Sequence, residues 1–154
     1  ETRLQHNNTV VSLLEVAKEM ARGEILYRKG EYEAAFAHLR QAVETEDALP
    51  YDEPWGWMQP SRHALGALLY EQGQVEEAEA VYRADLGLGG HLRRATVHPD
   101  NIWSLKGLHD CLKARGDTVE ILQIRQRLDL AAARADRAVA ASCFCAPAAM
   151  EAAE

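Results

Sequence analysis

Gly30, Gly73 and Gly116 stand 43 residues apart, each between two segments of helical apolar spacing, and this recurrence constrains the fold more than any other feature of the chain. A glycine so placed ends one helix and begins the turn to the next, because it takes the left-handed backbone conformation at no steric cost. The same letters return around it: Leu26-Tyr27-x-x-Gly30-x-Tyr32-x-x-Ala35, Leu69-Tyr70-x-x-Gly73-x-Val75-x-x-Ala78, and Leu112-Lys113-x-x-Gly116. Apolar residues at three- and four-residue steps, such as Leu13, Ala17, Met20 and Ala21, give each segment one face to bury. Six helices are expected, near residues 10–29, 31–46, 60–72, 74–86, 101–115 and 118–137. They pair into hairpins at about 10–46, 60–86 and 101–137, an all-α superhelical stack over residues 1–137, followed by a Cys-containing tail at 138–154.

The spacing of large and small residues resembles the tetratricopeptide repeat, whose usual period is about 34 residues. Its small-residue position falls at Gly23, Gly66 and, anomalously, His109; its alanine falls at Ala35 and Ala78, and its bulky residue at Leu39 and Tyr82. The third repeat departs, with Ile121 and Arg125 at the last two positions. Small residues there let paired helices approach closely, and Leu or Tyr fills the hairpin. The excess over the usual period falls in two connections, Pro50 to Met58 and Arg93 to Asn101, which are expected along one rim. For Trp55 and Trp57 in the first connection two readings stand: they cover the joint between repeats, or they touch a ligand or partner.

From Tyr51 to Cys145 the chain also resembles the C-terminal part of a group of bacterial tetratricopeptide proteins of no well-established activity. The residues are Glu53-Pro54-Trp55, Leu65-Gly66-Ala67-Leu68-Leu69, Arg83-x-Asp85-Leu86 and His98-Pro99-x-Asn101-x-Trp103-x-Leu105-x-Gly107-Leu108. This resemblance implies a longer N-terminal region and carries over no catalytic residue. The repeat resemblance implies a concave surface lined by the first helix of each hairpin, with Tyr27, His63, Tyr70, Trp103 and Lys106 placed to hold a peptide or protein partner. A binding or scaffold module is the function that follows.

Lys plus Arg number 17 against 24 Asp plus Glu, a formal charge of −7, which speaks against nucleic acid or an anionic membrane as partner. No apolar run approaches a membrane span and no leader pattern opens the chain, so a cytoplasmic location is expected. Oligomeric state is not set by the sequence.

No nucleophile elbow, phosphate-binding loop or dinucleotide glycine motif occurs, and Gly87-x-Gly89-Gly90 follows a helix and reads as a helix stop. Motifs therefore call for no cofactor. The alternative is a metal-binding site or a thiol-dependent enzyme built on Cys143 and Cys145. In an extended tail, residues two apart face the same side. With His63, His98 or His109 their sulfurs would make a thiolate–imidazole site for zinc or copper. The plainer reading packs both thiols against the last hairpin with Phe144 as the anchor. His109 likewise has two readings, a packed core imidazole or a residue at the groove edge.

Overall fold

The computed structural model describes residues 3–143 and 145. It contains six α-helices among them and divides into two compact units, Glu1–Ser61 and Arg62–Glu154.

The first unit begins with a short antiparallel pair, β1 (Leu4–Gln5) and β2 (Asn8–Thr9), which the apolar periodicity gives no sign of. The hydroxyl of Thr9 accepts from the Ser12 amide at 3.0 Å and so starts α1 (Val10–Arg28). Gly30, at φ 82°, ends the helix, with the Glu31 amide closing onto Leu26 O at 3.0 Å. The chain returns as α2 (Tyr32–Asp47), which packs along α1. A β-carbon on Gly23 would sit 2.6 Å from Leu39 Cγ, so the absent side chain sets how closely the two helices approach. Val16, Met20, Ala35, Phe36, Leu39 and Ala42 fill the core between them.

The connection after α2 folds back on its own hairpin. Trp57 Nε1 donates to Met20 Sδ at 3.1 Å, and buried Asp52 accepts from Asn8 Nδ2 at 3.0 Å and the Asn7 amide at 3.2 Å. Trp55 remains 40% exposed. Of the two tryptophans, Trp57 therefore anchors the loop and Trp55 is the one left accessible.

The second unit takes its first helix from α3 (Ser61–Glu71), then runs through α4 (Val75–Asp85), a 3-10 turn at Arg94–Thr96, α5 (Ile102–Arg115) and α6 (Glu120–Ala132). Gly73 and Gly116 turn the two hairpins with φ of 75° and 71°. Sequential packing continues: α4 lies on α5, and α5 on α6. Tyr82 of α4 is the central side chain. A β-carbon on Gly66 of α3 would meet its ring at 2.6 Å, and one on Gly107 of α5 would overlap it. Gly66 thus makes the close approach within its own hairpin, and Gly107, two residues before the expected repeat position at His109, makes a second one against the preceding helix.

Ion pairs tie these helices together. Arg83 donates from Nη1 and Nη2 to both oxygens of Glu120, at 2.7 and 2.5 Å, and from Nε to Glu79 at 2.8 Å. Arg115 donates to the other Glu79 oxygen. The planar guanidinium of Arg83 suits this two-carboxylate arrangement, with its fork on Glu120.

Five of the six helices match their expected limits to within two residues. The sixth is shorter than expected. Its start moves to Glu120 because Asp117 Oδ1 accepts from the amides of Val119 and Glu120, at 3.0 and 2.8 Å. Its end comes at Ala132 because the alanine-rich continuation has helix propensity but buries no face: residues 132–138 are all exposed.

Candidate functional site

Two histidines singled out by the sequence come together, on an acid that the sequence left unassigned. Asp85, the last residue of α4, is 0% exposed. Its Oδ1 accepts from His98 Nδ1 at 2.7 Å; its Oδ2 accepts from Ser104 Oγ at 2.5 Å and from His63 Nε2 at 3.2 Å. The His98 amide also donates to the Asp85 carbonyl at 2.6 Å. Burial alone pushes the Asp85 carboxyl up; the hydrogen bonds from His63 and His98 outweigh it and hold the group well below the usual carboxylate range. The two imidazoles lie edge to face with centroids 6.5 Å apart.

This constellation has the residue types of a catalytic triad and the wrong connectivity for one. Ser104 donates to the acid rather than to an imidazole, so neither histidine is aligned to take its proton. His63, His98, Ser104 and Asp85 are all buried. The cluster joins α3, α4, the second long connection and the start of α5. Its role is to fix that connection.

The burial of His63 and of Tyr27 also narrows the expected partner-binding face. Tyr27 is 4% exposed, in edge contact with Tyr32 and Phe36 at centroid distances of 5.0 and 6.0 Å. Both are core residues. Tyr70 is 37% exposed, and Trp103 and Lys106 are half-buried. These three remain accessible in the second unit.

Beside them, α5, α6 and residues 135–139 enclose a groove of about 590 Å³. Lys106, Asp110 and Lys113 recur at four- and three-residue steps along α5 and so share one face. Arg125 and Asp129 of α6 line it as well, together with the apolar Ile102 and Leu128. Lys106 pairs with Asp110, and Arg125 with Asp129 at 2.8 Å; Lys113 has no ion pair among the described residues. His109 lines the same groove. Its Nδ1 is buried without a hydrogen-bond partner, with Asp110 Oδ1 3.5 Å away. Tyr70 is not among the residues that line the groove; burial raises its phenol above the ordinary value, and the Asp110 carboxylate and Cys111 add to that.

The expected thiolate–imidazole set is not what the structure assembles. Cys143 and Cys145 are joined to each other as a disulfide, His63 and His98 are engaged by Asp85, and His109 lies in the groove. Among the described residues no three His, Cys, Asp or Glu side chains are arranged to hold a metal ion. The expected anchor, Phe144, lies outside the described residues. Ser142, just before the pair, is buried and shares a short hydroxyl–hydroxyl hydrogen bond with Tyr82. No described helix is long and apolar enough to cross a membrane.

A scan against protein-family models finds no match, and a search of curated proteins finds no matching relative.

Proposed function

We propose that the chain is a tetratricopeptide-type binding or scaffold module, and that its second unit holds an extended peptide segment of a protein partner in the groove between α5 and α6. The observation that carries this reading is the composition of the groove. It offers apolar side chains together with charges of both signs on α5 and α6. A peptide supplies what each of these wants: apolar side chains and acidic and basic groups. The turn glycines, the close approaches at Gly23 and Gly66, and the recurring Ala35 and Ala78 support the repeat assignment.

Within this reading Tyr70, Trp103 and Lys106 form the exposed flank, and Lys113 is a cation available to an acidic residue of the partner. Selection of peptides from a displayed random library, followed by anisotropy measurements on the selected sequences, tests it. Tyr70→Ala combined with Lys113→Ala should weaken binding at least about tenfold, which corresponds to ~1.4 kcal/mol. The helical circular dichroism should be kept. Selected peptides that bind the double variant as tightly as the parent would place the site elsewhere.

A further inference from the structure

We propose that Cys143 and Cys145 form a thiol–disulfide exchange site whose substrate is a protein dithiol. The pair is closed as a disulfide across two residues, with Cα atoms 5.1 Å apart. A cross-link over so short a loop removes little conformational freedom from the unfolded chain, so it is a poor staple.

The two sulfurs are not equivalent. Cys143 is 4% exposed and accepts a hydrogen bond from the Cys145 amide at 3.1 Å, whereas Cys145 is partly exposed. An incoming thiolate therefore meets Cys145, and the amide steadies the thiolate that leaves on Cys143. The scaffold also fixes where this happens. Ser142 is held to the Tyr82 hydroxyl, and the Tyr82 ring is in turn confined between Gly66 and Gly107. The remaining cysteine stays out of the exchange: Cys111 is fully buried, and burial pushes its thiol up to about 12.

The reaction balances with the dithiol as reductant. One substrate thiolate attacks Cys145 Sγ, forming a mixed disulfide and releasing Cys143 as thiolate. The second substrate thiolate then attacks the substrate sulfur of that mixed bond, and Cys145 leaves as thiolate. The substrate ends as a disulfide, two electrons poorer, and its two protons pass to solvent or to the new thiols.

The test uses the full chain equilibrated in glutathione buffers of graded ratio, quenched with an alkylating reagent and weighed intact. Two alkylation sites should be lost together as the buffer becomes oxidising, and Cys111→Ser should leave that midpoint unchanged. The oxidised chain should convert a reduced Cys-x-x-Cys peptide to its disulfide, one peptide per chain. Given the same peptide as its disulfide, Cys143→Ser should trap a mixed disulfide at Cys145 at least tenfold faster than Cys145→Ser traps one at Cys143. Both thiols alkylated at every glutathione ratio, or an oxidised pair that leaves the peptide dithiol untouched, would overturn the proposal. So would equal trapping rates in the two serine variants.

Discussion

The ring of Tyr82 occupies the space that a β-carbon on Gly107 would need. A single methyl on α5 thus opposes the packing of α4, whose phenol also reaches Ser142. Gly107→Ala should cost about 2 kcal/mol through displaced packing. Gly73→Ala, where nothing lies within 4 Å but φ is 75°, should cost about 1 kcal/mol through backbone conformation alone. Urea unfolding of both variants checks the order. Equal or reversed costs would mean that Tyr82 yields easily.

Asp85→Asn keeps the size of the side chain and removes the charge that three side-chain donors converge on. The expected loss is about 3 kcal/mol, at the lower end for breaking a buried charged network. Because the folded carboxyl titrates below its ordinary range, its contribution is fully present above about pH 4 and is lost as the pH falls below that. Glu120, lowered by its hydrogen bonds to Arg83, acts in the same window. Acid unfolding should therefore persist in Asp85→Asn with a shallower dependence of stability on pH. An unchanged slope between pH 5 and pH 2 would count against the network.

At His109 stability and binding are expected to move in opposite directions. His109→Leu removes a buried nitrogen that has no partner, which should raise stability by about 1 kcal/mol. The same change should weaken capture of groove-selected peptides. Thermal unfolding and anisotropy on one preparation give both signs. A variant that is both less stable and equally competent would remove His109 from the groove's chemistry.

Arg83→Lys separates charge from geometry. A lysine keeps the positive charge but cannot span Glu79 while holding both oxygens of Glu120. A loss of about 1.5–2 kcal/mol is expected, at the lower end of the range for charged hydrogen bonds. It should survive in moderate salt, because Glu79 is buried. Chemical unfolding at two ionic strengths measures it.

The turn glycines and the alternation of apolar residues made the helices and their pairing legible, because both are local signals carried by a few side chains. Propensity misled at the end of α6, where alanine favours a helix but offers no surface to bury. The pairing β1–β2 left no trace, since two residues per strand make no period. Of the expected binding face, Tyr70, Trp103 and Lys106 remain accessible, whereas Tyr27 and His63 turn inward. Counting positions along a helix gives its faces but not how much of a face its neighbours cover. Asp85 is one acid among many in the sequence, because the partners that single it out come from residues 63, 98 and 104. Polar residues at the two ends of a long connection, here Asp85 and His98, are the available signal. Gly107 was likewise visible two residues before the repeat position, but only the ring of Tyr82 reveals why it is a glycine.

A buried carboxylate that takes donors from three separate stretches of chain also acts as a proofreader of threading. Slide the connection between α4 and α5 by one residue, and His98 moves off Asp85 while the charge stays buried. Every such misregistered arrangement carries an under-satisfied anion, which is dearer than any slack in the loop. The long connection is therefore tolerant of changes along its exposed middle and intolerant of any that draw His98 away from Asp85.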